Sequence, residues 1–389
     1  MVPSFHQGGS ERQGVQLARL LSTSGACRVT LACLERDGVL LPEAERLGLG
    51  ELPEFPLNSF YDRNMLTQLR RCAALLKEQA IDVVQTFDFY TNVFGLAAAT
   101  MARVPVRIAA RRETKGHRTP AQHWFERRAF ALAHVIVANA EAVRGELIRD
   151  GVPPSKVVTM HNGVDMSRVA PIADLNRAGV LASLGLPTAP ERRLVTIVAN
   201  LRSPYKDHPT FLKAAKKVSE VVPEAAFVLA GEGPLIEEMR VMARELGIED
   251  QTFFLGRCLR TAELLAVSEV GVLSSKDGEG FSNAIIEYMA AARPVVATDV
   301  GGAREAITPG ETGYIVPTRD HEKMAARILE LLLEPERART MGECGKLIVE
   351  EKFSSETQLA RTLELYDRHL KRAALPVAPS VEIVHRKRA

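Results

Sequence analysis

The stretch GEGFSNAIIEYMAAARPVVAT, residues 278–298, holds a glycine-flanked acidic loop, a helix of small and apolar residues, and an apolar strand at 294–298. A further apolar run at 270–274 precedes it, so the loop joins the carboxyl end of one buried strand to the amino end of a helix. Short continuous Val/Ile/Ala runs separated by helical segments predict parallel strands covered on both faces. Such an α/β unit is doubly wound, and its ligands gather in loops beyond the carboxyl ends of the strands.

The same cadence extends in both directions. Toward the amino end of this half it predicts strands at 194–199, 226–230 and 251–255, with helices at 208–221, 234–246 and 261–267. Beyond 298 come a strand at 313–316 and helices at about 320–332, 336–350 and 355–373. The first half repeats the theme with helices at 11–22 and 65–79, strands at 26–34, 81–87, 104–110 and 134–140, and helices between the later strands. A Pro/Gly-containing interruption at 151–190 places the junction between two doubly wound domains near 165–190. Only VPSF precedes the first glycine pair, so the opening strand of the first domain is expected either to be very short or to lie upstream of residue 1.

A chain of 389 residues accommodates two such domains with their own cores. Fifty Lys and Arg against 48 Asp and Glu leave a formal charge of +2, too balanced for a dedicated nucleic-acid binder. The five cysteines are scattered and form no CxxC, which argues against a zinc site or a disulfide framework and fits a reducing cytoplasm. No apolar run is long enough to span a bilayer, and the first residues lack the regions of a secretory signal.

Within the 278–298 stretch, the helix start offers free N–H groups to a phosphate. Glu279 precedes the helix and Glu287 lies inside it, so the two carboxylates can meet one ligand at different points. The alternative is a solvated Glu279 and a merely capping Ser282. Asn200–His208 supplies Arg202 and Lys206 after the strand 194–199. A guanidinium fork and a mobile ammonium together can neutralise a diphosphate as its charge develops. Gly231 and Arg257 follow the next two strands, and Gly301–Glu305 forms another glycine-rich turn. Gly8 and Gly9 open the first helix but are too few for a GxGxxG nicotinamide-cofactor loop. Residues 101–150 carry ten Arg/Lys against five Asp/Glu, with Arg111, Arg112, Lys115 and Arg118 clustered after the strand 104–110. This cluster reads either as solvated charge or as a face toward an anionic acceptor or membrane. The basic tail from Tyr366 to Ala389 reads the same two ways, and its LPVAPS stretch as flexible.

Together these segments resemble the retaining glycosyltransferases of family 4, with the GT-B fold of two Rossmann-like domains facing each other across a cleft. The resemblance is most specific at Glu279, Gly280, Phe281, Ser282, Asn283 and Glu287. It implies that Arg202, Lys206 and Glu279 carry catalysis. It further implies that Gly9, Gly231, Arg257, Glu287 and the 280–283 loop bind a nucleotide-sugar, with UDP the favoured nucleotide. In that scheme residues 1–170 hold the acceptor, 171–355 the donor, and a helix at 356–374 packs back on the first domain, leaving 375–389 as tail. No metal or other cofactor is expected. The acceptor would be a glycan or lipid-linked sugar, and the enzyme cytoplasmic or peripheral on the inner face of the membrane. Family relatives often place a histidine at the end of the strand equivalent to 104–110; here the residues are Ala109-Ala110-Arg111-Arg112. An epimerase or phosphorylase of similar architecture, and a non-catalytic sugar-nucleotide binder, remain alternatives at this point.

Overall fold

The computed structural model describes residues 1–374 except 7, 60–61, 115–117 and 170–174. Two parallel sheets organise the chain. The first contains β1 (Val83–Gln85), β2 (Val106–Arg111), β3 (Val135–Ala138) and β4 (Val157–Thr159) in the order β1-β2-β3-β4. The second contains β5 (Arg193–Val198), β6 (Ala225–Ala230), β7 (Thr252–Gly256), β8 (Val270–Leu273), β9 (Val295–Thr298) and β10 (Gly313–Val316). Its order is β10-β9-β8-β5-β6-β7, all parallel, so the chain reverses direction across the sheet between β5 and β8. Loops from two neighbouring strands part at such a switch point and leave a crevice between them.

The central strands are buried on both faces, as their uninterrupted apolar sequences require: every residue of β3, β6, β8 and β9 is buried. One core cluster runs through the junction of the two units, joining Ala140 and Val143 to Phe281, Ala303 and Phe353. The helix Ser355–Ala374 returns to the first sheet. Its Leu365 packs with Val106 and Ile108, and its Tyr366 hydroxyl donates to Gln85 Oε1 at 2.6 Å.

Two expectations for the first unit change. The apolar run 26–34 does not form a strand: it contributes an isolated parallel bridge between Cys33 and Val2 and another to Glu54. A ladder needs a partner on at least one side, and Val2, whose N–H donates to Ala32 O at 3.0 Å, supplies one residue of pairing. The 151–190 interruption is also more structured than a linker, containing β4 and the helix Arg177–Ser183. An apolar hollow of about 860 Å³ beside β1, lined by Leu17, Leu31, Leu75 and Val83, holds none of the predicted site residues. The tail at 375–389 lies outside the described residues.

Candidate functional site

The carboxyl ends of both sheets open into one cleft of about 270 Å³. Its first wall comes from Gly8 and Gly9 at the helix Gly9–Ser24, Arg112 after β2, Asn139 after β3 and Asn162 after β4. Its second wall comes from Arg202 and Lys206 after β5, Gly231 after β6, Arg257 after β7 and Gly278–Asn283 after β8. These residues are far apart in sequence, and the shared position of strand ends brings them together.

At the β5/β8 switch point the Lys206 ammonium bonds the Glu279 carboxylate. Burial lowers the affinity of Lys206 for its proton, and the Glu279 charge more than offsets this, so its pKa lies above the ordinary value. Ser275 Oγ donates to the same Glu279 oxygen at 2.7 Å, and Ser274 Oγ donates to Lys206 O at 2.8 Å, so each loop is stapled to the other. Glu279 is only 8% exposed, which removes the alternative of a solvated carboxylate.

Arg202 and Arg257 converge on Glu232, the residue between Gly231 and Gly233. Arg202 Nη2 lies 2.7 Å from Glu232 Oε1, and Arg257 reaches the two oxygens from Nε at 2.9 Å and Nη2 at 2.8 Å. These charge-assisted bonds hold the Glu232 carboxyl below its usual range. Gly231 makes the turn possible, since a Cβ there would sit 2.0 Å from Ala199 O. Glu232 thus presents both guanidinium groups at the cleft, a role the isolated segment GEGP did not reveal.

Glu287 projects from the helix Asn283–Ala290 and is 6% exposed. Across the cleft Arg12 Nη2 meets it at 2.9 Å. Asn283 Oδ1 accepts from Gln13 Nε2 at 3.3 Å and from Asn162 Nδ2 at 2.7 Å. Arg12, Gln13 and Asn162 carried no strong signal in the sequence. The available hint was their position beside Gly9 and within HNGVD. Ser282 heads the helix without a side-chain capping bond, so the capping alternative also fails. The Phe281 side chain is buried against His161 and Phe353, with ring centroids 4.6 and 4.9 Å away, leaving only its backbone near the cleft. Its carbonyl accepts from Asn162 Nδ2 at 2.8 Å. At Gly280 a Cβ would lie 2.2 Å from Arg112 O and 2.3 Å from Asn139 Oδ1, so the loop touches the opposite wall through bare backbone.

A second clasp lies behind the loop. Glu305 accepts from the backbone N–H groups of Glu141 and Ala142 at 2.7 and 3.1 Å and meets His161 Nε2 at 2.8 Å. Burial disfavours its charge, but these donors outweigh that and hold its pKa below the ordinary 4.5. The carboxylate from one unit therefore serves the exposed amides at the start of the other unit's helix Glu141–Arg149.

Among the described residues, the basic cluster expected after β2 does not present one exposed face. Arg111 is 3% exposed, with Glu126, Glu146 and Asp150 at 3.8, 3.5 and 3.3 Å. Arg118 is held by Glu126 and by Glu113 at 2.7 Å. Charge counting along a segment cannot distinguish a cation facing solvent from one enclosed by distant carboxylates. Arg112 faces the cleft instead and donates to Asn162 Oδ1. Lys115 lies outside the described residues. Among the described residues no helix is long and apolar enough to cross a membrane. They include one exposed group with metal-ligand spacing, His6, Glu35 and Asp37.

Comparison with known proteins follows the same division of the chain. Residues 7–168 match the sequence model of Glycosyltransferase Family 4, and residues 186–347 that of Glycosyl transferases group 1. The N-acetyl-alpha-D-glucosaminyl L-malate synthase of Bacillus anthracis is 33% identical over 174 residues, 45% of each chain. Likewise the putative glycosyltransferase EpsD of Bacillus subtilis is 27% identical, over 63% of this chain and 61% of its own. The chain therefore spans about half to three fifths of these two curated relatives. Coverage is greater for a GDP-mannose-dependent alpha-(1-6)-phosphatidylinositol monomannoside mannosyltransferase of Mycolicibacterium smegmatis, 29% identical over 72% of this chain and 76% of that protein. Among solved structures, Anabaena HepE in complex with UDP superposes with a TM-score of 0.82, over 94% of this chain and 98% of that one, at 19% identity. That likeness is one of fold, and it agrees with two Rossmann-like units bearing a shared cleft. With each half matched by its own model and the fold shared throughout, the chain belongs to the glycosyltransferases of family 4, group 1, of GT-B architecture.

Proposed function

We propose that this chain transfers a sugar from a UDP-sugar, with retention at the anomeric carbon, to a hydroxyl of a glycan or glycolipid in cell-surface polysaccharide or glycolipid synthesis. The observation that carries the reading is the meeting of Lys206 and Glu279 at the switch point, with Arg202, Arg257 and Glu287 around the same cleft. UDP is favoured because Anabaena HepE, which shares the fold, is described with UDP and with UDP-glucose. In this scheme residues 171–355 hold the donor and residues 1–170 the acceptor, with the helix near 356–374 bracing the second group.

Arg202 and Lys206 receive the diphosphate and stabilise its growing negative charge as the glycosidic bond to phosphate breaks. Glu279 orients Lys206 and faces the hydroxyls of the sugar, while Glu287 exchanges Arg12 for the hydroxyls of the ribose. The acceptor hydroxyl attacks on the face from which the diphosphate leaves, and a departing phosphate oxygen takes its proton. No carboxylate of the chain needs to serve as nucleophile. Incubation with nucleotide-sugars and lipid-linked or oligosaccharide acceptors tests this. Acceptor-dependent release of UDP with an α-linked product, undiminished by excess EDTA, is expected. Epimerised donor, acceptor-independent release, or a strict need for added Mg²⁺ or Mn²⁺ refutes it.

Peripheral membrane association is proposed through a different surface from the segment after β2. On the helix Pro120–Leu132, Trp124 is 53% exposed, and the Arg128 guanidinium lies over its ring at 4.9 Å, with Arg127 also exposed. An aromatic ring beside cations suits an anionic headgroup layer. Co-sedimentation with anionic but not neutral vesicles, falling with salt and lost in Trp124→Ala/Arg128→Ala, is the expected result. Equal behaviour of the variant refutes the location.

A further inference from the structure

Among the described residues, each cation lining the cleft meets a carboxylate except Arg112. Glu279 meets Lys206, Glu287 meets Arg12, Glu232 is shared by Arg202 and Arg257, and Glu113 meets Arg118. Arg112 is different. Its guanidinium donates to the neutral Asn162 Oδ1 and lies 5.7 Å from the Phe87 ring centroid. Among the described residues no carboxylate forms an ion pair with it; Glu11 attracts it from a greater distance. Arg112 is half-buried, and its guanidinium offers five donors, most of them unused here.

Asn139 adjoins it on the same wall. Its Nδ2 donates to Arg112 O at 3.1 Å, whereas its Oδ1 is buried and has no partner, although the residue is only 2% exposed. That oxygen is covered by the Gly280 backbone, so Asn139 holds the Arg112 main chain in place through its Nδ2 and does not itself meet a ligand. Asn139 Oδ1 and the Arg112 carbonyl oxygen stand opposite Gly280, and both residues line the cleft together with Lys206 and Glu279. The cleft thus holds one cation that, among the described residues, has no carboxylate of its own.

We infer that Arg112, its main chain held by Asn139, lies in the acceptor subsite, and that the acceptor carries an anionic group, a carboxylate or phosphate, close to its reacting hydroxyl. The anion receives the Arg112 fork, and the reacting hydroxyl keeps its proton for the departing phosphate oxygen. This deepens the proposed transfer reaction and rests on it for the word acceptor. The charge preference itself does not depend on turnover. It also separates this cleft from one built for a neutral glycan, which would leave the guanidinium without an ionic partner.

Matched pairs of small probes test it, by calorimetry and thermal protection, with and without UDP: glucuronate against glucose, glucose 1-phosphate against glucose, and lactate against propane-1,2-diol. The anionic member of at least one pair should bind wild type at least ~10-fold more tightly, as expected for a charge-assisted bidentate contact. Arg112→Gln should abolish that preference, Arg112→Lys should retain part of it, and Asn139→Asp should weaken anion binding by repulsion. UDP affinity should remain within about twofold in all three, since no UDP contact is assigned to them. Melting temperatures near wild type exclude misfolding, and the Lys variant keeps the charge if the Gln variant proves unstable. No charge preference in any pair, or the same loss for neutral and anionic probes in Arg112→Gln, overturns the inference. Tighter binding of UDP-glucuronate than UDP-glucose, lost in Arg112→Gln, overturns it in favour of an anionic donor sugar. Failure of UDP to bind would count against the donor reading alone, because the probes are also measured without nucleotide.

Discussion

Replacing Lys206 with alanine separates two consequences that the structure ties together. The ammonium and the Glu279 carboxylate are 16% and 10% exposed at their side chains, so removing one leaves the other nearly buried and unpaired. An uncompensated buried charge costs about 3–5 kcal/mol, and the small residual exposure places this case near the lower figure. At roughly 2–4 °C per kcal/mol for a domain of this size, melting should fall by about 6–12 °C. The catalytic loss has another origin, the missing cation at the leaving diphosphate, and is expected at ~10²–10³-fold in kcat. Lys206→Ala/Glu279→Gln then distinguishes them. Removing the orphaned charge should recover most of the melting temperature, while turnover with saturating donor stays at least ~10²-fold down. Calorimetric melting and a continuous assay of nucleotide release measure both quantities on the same preparations. Recovery of turnover alongside stability in the double variant would refute the reasoning, because Lys206 would then be a structural counter-ion only.

Three further outcomes follow from the same geometry. Glu287→Gln should weaken binding of free UDP, whereas Glu279→Gln should leave UDP affinity near wild type and impair recognition of the intact sugar donor; equal loss in both variants contradicts the division of roles. Gly280→Ala forces a methyl against Arg112 O and Asn139 Oδ1, at 2.2 and 2.3 Å, so kcat should drop by at least ~10-fold while UDP still binds the second unit; unchanged turnover would show that the two walls do not meet during reaction. Glu305 has a lowered pKa in the folded chain, so its contribution is present above the ordinary 4.5 and lost as pH falls through the folded value. The melting difference between wild type and Glu305→Gln should therefore be largest near neutral pH and shrink below about pH 4.5; a constant difference refutes the clasp.

Much of the second unit is legible in its sequence, because a two-face-buried strand must be apolar throughout and its loop must be polar. Strands at 226–230 and 313–316 and the polar loop that carries Glu279 follow from that rule. The first unit is less legible. The run 26–34 has a strand's composition, yet composition cannot supply the neighbouring strand that a ladder requires. Arg111 shows the same limit for charge: its sequence neighbours are basic, and its partners Glu126, Glu146 and Asp150 come from two helices and a helix end downstream. Sequence by itself determined the alternation of strand and helix and the residue types placed at each strand's carboxyl end, since both are local consequences of burial and backbone geometry. Only the tertiary structure decided which charges meet. Arg12 reaches Glu287, Glu232 gathers Arg202 and Arg257, and Arg112 faces the cleft with no ion pair among the described residues, because Coulomb energy and desolvation depend on distances that the order of residues does not contain.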